Sequence, residues 1–452
     1  METRQPAVRL TDGSLYKNIF RFSLPLMFSN ILQALFNMSD IAVVGRFAGP
    51  QALGSVGSTA TLVTVFIGFL MGIGGGINSL VARYFGARQD EDVARSVHTS
   101  LIASLAVGLV LTALGELFCR GLLELLGTKE ELIDGAELYL RIYFLGLPAS
   151  ALYNFGSGVF SAVGDTRKPL AFLSLAGIAN VILNLIFVIA FRWDVAGVAA
   201  ASALSQYLAA VLVLLSLGSA PRPVALRLRD LRPAKDKLRA VLSLGLPAGF
   251  QNAVFGIANL FIQAAVNSFD AVMVEGNSAA ANADGLVYDV MAAFYVACTS
   301  FIAQNYGAGN GRRVRKSYRI ALLYSFGAGA LLGIALVLFG RPFLAVFTEE
   351  EAVIEAGLKR IGIMGLSYGI SALMDCSIAA SRGLGKTVVP TVIVILGSCV
   401  FRVAWVYTVF AAFRTIPSLY LLYCFSWIIT GLAEWAYFIF TYKKAFPEVE
   451  KQ

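Results

Sequence analysis

Twelve apolar stretches, each long enough to cross a membrane, occupy most of this 452-residue chain. Crossing about 30 Å of hydrocarbon takes about 20 residues of α-helix, because each residue adds about 1.5 Å. Hydrophobic residues make up 58% of the chain and charged residues only 14%. We therefore predict an all-α polytopic membrane protein with twelve transmembrane helices. The stretches lie near residues 17–44, 52–80, 93–119, 136–161, 169–191, 195–217, 239–267, 278–304, 317–340, 354–380, 388–412 and 416–441.

The second half of the chain repeats the first. Pro25 and Pro247 are 222 positions apart, and so are Asn30 and Asn252. A fixed offset of 221 or 222 over several separate motifs indicates an internal duplication. Each copy holds six stretches, so both copies enter the membrane in the same direction and form parallel six-helix bundles. We predict an N-terminal lobe over 1–218, a cytoplasmic linker over 219–238 and a C-terminal lobe over 239–452.

The basic residues predict the orientation of the chain. Of the 36 Lys and Arg, 26 lie at the two termini and in alternate loops, and six lie in the other loops. The positive-inside rule then places both termini in the cytoplasm. The net charge of +8 marks cytoplasmic loops and does not indicate nucleic-acid binding.

The chain lacks the residues that several other classes of protein require. The chain has one histidine, His98, for which we expect a solvated or interfacial position. The segment "GLGKT" (383–387) has Ala380 where a phosphate-binding loop needs its first glycine. Paired catalytic groups at the bilayer surface are also missing, so we predict no enzyme activity, no cofactor and no firm metal site. Active transport here would have to use an ion gradient.

The first stretch carries a polar stripe. Asn30, Gln33, Asn37 and Asp40 are spaced three, four and three residues apart, which places them on one face of a helix. Polar side chains at membrane depth are costly and usually face a cavity or a partner. The amides could instead hold helices together. A lone carboxylate is harder to explain structurally, and we predict a functional role for Asp40.

The fifth and sixth stretches add matching groups. Asn180 and Asn184 are one turn apart, as are Ser202 and Gln206. A carboxylate, two carboxamides and a hydroxyl are suited to bind a proton or a small hard cation such as Na⁺. We predict that Asp40, Asn180, Asn184 and Ser202 form the cation- or proton-coupling site.

The second copy holds its own embedded charges, among them Asp284, Asp289 and Asp375. It also contains Arg402 and Glu434. Arg402 with Asp375 or Glu434 could form a structural ion pair, because unpaired charges are expensive in a membrane.

At these residues the chain resembles the multidrug and toxic compound extrusion (MATE) transporters, in their bacterial multidrug-efflux branch. The resemblance covers nearly the full length, through "LPLMFSNILQALFNMSDIAVVG", "EGNSAAANADGLVYDVMAAFY", "LMDCSIAASRGLGKT" and "SWIITGLAEW". It implies a V-shaped pair of six-helix lobes that rock between outward-open and inward-open forms. It also implies export of organic cations and drugs in exchange for H⁺ or Na⁺ by a functional monomer in the bacterial plasma membrane.

The resemblance carries over to single residues. Asp40 matches the acidic residue in the first helix of the family, and Asn180 matches its asparagine in the fifth. Ser202 stands where a threonine is usual, and Asn184 where the family usually has an aspartate. This departure leaves Asp40 as the only acid of the site and favours H⁺ over Na⁺ as the coupling ion.

We predict that further residues line the substrate cavity. These are Gln33, Phe36, Asn37, Asn154, Gln251, Asn252, Asn259, Asp289 and Asp375. One alternative function remains, a flippase or exporter of a lipid-linked precursor or a metabolite in the wider superfamily. A lipid-linked substrate would favour a cavity rich in basic residues, and the embedded basic residues here are few.

Overall fold

The computed structural model describes residues 10–448, and this part of the chain is helical with loops and turns between the helices. The α-helices are α1 (Leu15–Val43), α2 (Gly49–Gly86), α3 (Asp90–Leu125), α4 (Glu130–Phe144), α5 (Leu147–Ala162), α6 (Arg167–Leu185), α7 (Asp194–Gly218), α8 (Lys235–Val266), α9 (Ala271–Gly307), α10 (Gly311–Leu344), α11 (Glu351–Gly383), α12 (Val388–Val394), α13 (Phe401–Trp405), α14 (Ala411–Phe413) and α15 (Ile416–Ala445). Short π-helices span Val44–Ala48, Ile186–Ala190, Ile395–Val400 and Val406–Phe410.

The twelve predicted membrane crossings are confirmed. Ten helical segments in the described part are long and apolar enough to cross a membrane, and the first, Leu15–Gly86, has 72 residues and contains two crossings. The twelfth crossing is the predicted fourth one, which α4 and α5 share. The helix breaks there at Leu145–Gly146, since Pro148 is the second residue of the next helix and proline cannot donate a backbone hydrogen bond. Neither half alone is 18 residues long.

The described residues form two compact units whose boundaries differ from the predicted lobes. Unit 1 contains residues 28–253, and unit 2 contains residues 10–27 and 254–448. The first turns of α1 thus belong to unit 2, where Leu15, Ile19 and Phe22 are buried with Phe294 and Phe301. The linker belongs to unit 1. Both boundaries fall inside long helices, which composition along the chain could not reveal.

Unit 1 is built around close approaches between glycines. A Cβ atom added to Gly72 of α2 would lie 2.3 Å from the backbone nitrogen of Gly249 in α8, and one at Gly76 would lie 2.6 Å from that of Gly245. Only glycine allows two helix backbones to come so close. The four-residue spacing of these glycines therefore reflects close helix packing.

Unit 2 also contains close contacts between glycines, at α9, α10 and α11. A Cβ at Gly333 of α10 would lie 1.9 Å from the carbonyl oxygen of Gly365 in α11. Gly276 of α9 similarly meets the backbone of Gly357 in α11, at 2.7 Å. α11 is consequently among the most buried membrane helices, with 67% of its apolar window inside the protein.

Hydrogen bonds hold the segment between α7 and α8 against α3. One of them involves His98, for which the predicted solvated or interfacial position is wrong. His98 is only 3% exposed. Its Nδ1 lies 2.7 Å from the carbonyl oxygen of Ala94, and its Nε2 accepts a hydrogen bond from the backbone N–H of Arg227 at 3.0 Å. The neighbouring Thr99 hydroxyl accepts one from the backbone of Ala234 at 3.1 Å. The buried histidine thus satisfies one backbone group of the linker, the N–H of Arg227.

Candidate functional site

Four polar side chains from three helices of unit 1 close a ring of hydrogen bonds. Asn184 of α6 donates to Asp40 Oδ1 of α1 and, at 3.3 Å, to Asn180 Oδ1. Asn180 donates to Ser202 Oγ of α7 at 3.4 Å, and Ser202 donates to Asp40 Oδ2 at 3.2 Å. These are the four residues predicted for the coupling site, and the fold brings all of them into contact. Their role in coupling stays a prediction.

The local helix geometry turns these side chains toward one another. Asn180 and Asn184 are one turn apart on α6, so both face α7 and the end of α1. A π-helix, Val44–Ala48, begins four residues after Asp40, and another, Ile186–Ala190, begins two residues after Asn184. Such segments are rare, widen the helix locally and often occur at functional sites. The ring therefore sits where α1 and α6 both leave regular α-helical geometry.

The ring is buried but not fully satisfied. Asn180, Asn184 and Ser202 are 6%, 0% and 7% exposed, while Asp40 is partly exposed. Asn184 Oδ1 is buried with no hydrogen-bond partner among the described residues. A buried acceptor without a donor is costly and asks for an explanation. Here it supplies a spare oxygen beside a carboxylate, an amide oxygen and a hydroxyl, the donor set that suits a proton or a hard cation.

A second polar layer lies next to the ring. Ser150 of α5 donates to Gln206 Oε1 at 2.6 Å, one turn beyond Ser202 on α7. Phe36 of α1 packs onto Gly177 of α6, where an added Cβ would lie 1.8 Å from the Phe36 ring. Phe36 therefore fixes α1 against α6 near the ring, in addition to any predicted contact with substrate.

The other predicted cavity residues of unit 1 occupy different surroundings. Gln33 and Asn37 are exposed on α1, whereas Gln251 is 5% exposed. Asn154 donates to the Ser150 carbonyl at 2.9 Å, and Asn252 donates to the Gly68 carbonyl at 2.8 Å. Asn252, predicted to line the substrate cavity, thus joins α8 to α2; its contact with substrate stays a prediction.

Unit 2 holds the remaining predicted cavity residues. Asn259 is exposed on α8, and Asp289 of α9 and Asp375 of α11 are partly buried. Their participation in substrate binding stays a prediction.

The predicted ion pair of Arg402 is not formed. No salt bridge joins Arg402 to Asp375 or Glu434 within residues 10–448. Arg402 Nε instead donates to Ser426 Oγ at 3.0 Å, and the guanidinium lies 4.6 Å from the ring centre of Tyr423 and 5.4 Å from that of Phe255. A delocalised cation is attracted to aromatic faces and weakly hydrated, so rings can replace a carboxylate as its partner.

Glu434, the other member of that pair, is fully buried in α15 at 0% exposure. Neither of its carboxyl oxygens has a hydrogen-bond partner among the described residues. The expected pairing therefore fails at both ends.

Unit 2 contains a buried polar network that the sequence did not predict. Arg360 of α11 donates to both Asp284 and Asn277 of α9. Tyr368 donates to Asp284, and Tyr420 of α15 donates to Asn277. The available signal was an arginine within an apolar stretch, which requires a partner. The partner could not be identified because it comes from another helix far along the chain.

Neither unit offers a cluster typical of a metal ion with protein ligands. Among the described residues, no group of three or more His, Cys, Asp or Glu side chains could hold one. A small ion in the ring of unit 1 would instead be bound mostly by amide and hydroxyl oxygens.

The repeats match a known family. The family model MatE matches residues 25–186 and again residues 247–408. The two matches start 222 residues apart, the same offset that relates Pro25 to Pro247.

Proteins with similar sequences include several transporters. A probable multidrug resistance protein, YpnP of Bacillus subtilis, is 27% identical over 393 residues, which cover 85% of this chain and 86% of that protein. A FAD transporter of Shewanella oneidensis is 25% identical over 80% of both chains.

Solved structures show the same fold. A multidrug resistance MATE family transporter in an outward-facing conformation superimposes with a TM-score of 0.90 at 23% identity, over 98% of this chain and 99% of that one. A transporter of the MOP superfamily from Pyrococcus furiosus, described as having a binding pocket of reversed polarity, gives a TM-score of 0.91 at 23% identity over the same shares.

Proposed function

Since this chain belongs to the MatE family of membrane transporters, we propose that it is a secondary active antiporter. It exports organic cations and drugs in exchange for H⁺, with Na⁺ as the other candidate ion. The multidrug resistance proteins among its relatives support this class of cargo. We further propose that it is a monomer and not an enzyme, and that it lies in a bacterial plasma membrane with both termini in the cytoplasm.

The hydrogen-bonded ring around Asp40 carries the proposal. There a membrane-embedded carboxylate accepts hydrogen bonds from two uncharged side chains, Asn184 of α6 and Ser202 of α7. Such a carboxylate can change its protonation without breaking an ion pair. Its partners lie on α6 and α7, so a change at Asp40 acts directly on the packing of α1.

The mechanism follows from the donors and acceptors of the ring. Ionised Asp40 accepts hydrogen bonds from Asn184 and Ser202. A proton on Asp40 turns one of its acceptor oxygens into a donor. That oxygen then faces the N–H of Asn184 or the O–H of Ser202, which is also a donor, and the hydrogen bond is lost. Rotation of the Asn184 amide would present its spare Oδ1 to this new donor. The hydrogen bond between Asp40 and Asn184, which joins α1 to α6, is thereby rearranged. It lies next to the two π-helices, where α1 and α6 depart from regular α-helical geometry.

The driving force comes from the ion gradient. Each charge that moves inward across 100 mV contributes about 2.3 kcal/mol. An exchange of external H⁺ for internal cationic cargo needs both ligands to bind the same protein in alternation. Asp40 would release its proton to the cytoplasm before the next cycle.

Transport in proteoliposomes tests the proposal. H⁺ and Na⁺ gradients are imposed separately, and efflux of a fluorescent organic cation is followed. We expect the H⁺ gradient to drive efflux and Asp40→Asn to abolish it, with Asp230→Asn in the linker as the matched control. Undiminished gradient-driven efflux by Asp40→Asn would overturn the role of Asp40.

A second candidate cargo is an anionic aromatic metabolite or a lipid-linked precursor. Arg402, buried among Phe255, Tyr423 and Trp427, favours it, because such a site attracts an anion with aromatic rings. The FAD transporter among the relatives points the same way. Flavin export by the purified protein, lost in Arg402→Gln but retained in Asp40→Asn with a preset substrate gradient, would favour this candidate over organic cations.

A further inference from the structure

An apolar groove runs along the outside of unit 2 between α10 and α11. Its volume is about 520 Å³, within the range of small-molecule sites. Apolar side chains and one glycine form its walls, and Arg319 is its only charged lining residue. The lining residues are Arg319, Leu322, Leu323, Phe326, Gly369, Ile370 and Leu373.

The groove has one cationic end. Arg315, Arg319, Leu322 and Phe326 are spaced four, three and four residues apart, so they lie on one face of α10. From Arg319 to Phe326 the helix rises about 10 Å. The apolar part of the groove therefore extends about that far from its charged end. Both arginines are exposed, and neither makes a salt bridge or a side-chain hydrogen bond with any described residue.

The far wall of the groove depends on Gly369. A Cβ atom at that position would lie 3.2 Å from the Phe326 ring, so the missing side chain lets the ring lie against α11. Leu323 and Phe326 are 58% and 50% exposed. The groove therefore faces the lipid phase, because α10 is the least buried of the membrane segments at 17%.

We propose that this groove binds one anionic phospholipid. An acyl chain lies between Leu322, Phe326 and Ile370, and the headgroup phosphate accepts hydrogen bonds from Arg315 and Arg319. Arginine suits this task because its planar fork of N–H groups matches phosphate oxygens. Basic pockets between membrane helices on the cytoplasmic side are suited to anionic headgroups, and the start of α10 carries five Lys and Arg between residues 312 and 319.

The two arginines favour an anionic phospholipid over other molecules that could occupy the groove. A zwitterionic lipid such as phosphatidylcholine carries its own ammonium cation beside the phosphate, so it offsets the charge of the two arginines less than an anionic lipid does. A second copy of the chain would have to bring a carboxylate to the same place. The site is distant in sequence from the ring around Asp40 and belongs to the other unit, so it does not depend on which cargo is exported.

Lipid retention measured by native mass spectrometry tests the proposal. The wild type, the double variant Arg315→Gln/Arg319→Gln and the control Arg232→Gln/Arg239→Gln are each mixed with phosphatidylglycerol or phosphatidylcholine. Arg232 and Arg239 are also exposed arginines near a helix start. We expect the wild type and the control to retain one phosphatidylglycerol, and the α10 variant to retain it about 30-fold less, at about fivefold per arginine.

A groove-filling variant examines the acyl part. Ile370→Trp leaves both arginines in place but puts an indole into the groove, and we expect it to lose the retained lipid. Thermal unfolding of each variant in detergent shows whether it is folded, independently of any transport activity. Equal retention of phosphatidylglycerol by the wild type and the α10 variant would overturn the proposal. So would a dimer in phosphatidylcholine that Ile370→Trp dissociates, since a second copy would then cover the groove.

Discussion

Asn184 donates a hydrogen bond to Asp40, while its own Oδ1 stays buried without a partner among the described residues. The pair joins α1 to α6, although the two residues are 144 positions apart in the chain. An amide in this position keeps Asp40 as the single carboxylate of the ring. Whether the ring responds to H⁺ or Na⁺ should therefore depend on residue 184.

Replacing that amide should change the ion preference. In Asn184→Asp two carboxylates would face Asn180 and Ser202, and a hard cation would be needed to offset their repulsion. We expect efflux by this variant to become dependent on Na⁺, measured in proteoliposomes with a Na⁺ gradient and no pH gradient. Asn184→Leu serves as the control, because it removes the amide without adding a charge. Unchanged ion dependence in Asn184→Asp would contradict the assignment.

The glycine contact between α2 and α8 should be intolerant of a methyl group. Gly72→Ala would place a Cβ atom 2.3 Å from the backbone of Gly249. Forcing the helices apart should cost about 1–3 kcal/mol of stability. The matched control is Gly75→Ala on the same helix, where an added Cβ meets nothing within 4 Å. Thermal unfolding in detergent should show a lower Tm for Gly72→Ala only, and equal values for the two variants would argue against close packing.

Breaking the buried network of unit 2 should be strongly destabilising. Asp284→Asn removes the charge that faces Arg360, which is 7% exposed, and leaves a buried cation uncompensated. The loss should be about 3–5 kcal/mol. Arg360→Met combined with Asp284→Leu should recover much of it, because no charge is then left unpaired. A double-mutant cycle on unfolding measures this, and additive effects of the two single changes would show that the residues are not coupled.

Removing the imidazole should release the linker. His98→Leu abolishes the acceptor for the Arg227 backbone N–H, so trypsin should cleave the arginine-rich segment between α7 and α8 several-fold faster. Thr99→Val should act in the same direction, because it removes the acceptor for Ala234, whereas Thr99→Ser keeps the hydroxyl. Equal digestion rates in the wild type and His98→Leu would show that this contact does not hold the linker.

Much of the architecture followed from local sequence. Apolar length specified the helices, and the 222-residue offset specified the duplication, since both signals are carried by residues close together in the chain or by direct comparison of the copies. The polar stripe ending at Asp40 and the pair Asn180 and Asn184 could also be located, because helical periodicity places each set on a single face.

Only the tertiary structure decided the partners. Arg402 was expected beside Asp375 or Glu434 but lies among aromatic rings. Arg360 pairs with Asp284, 76 positions away in the chain. His98 turned out to be buried against the linker. The physical reason is common to all three. Periodicity fixes the face of a helix that a side chain occupies, but the rotation and depth of the neighbouring helix decide which group meets it.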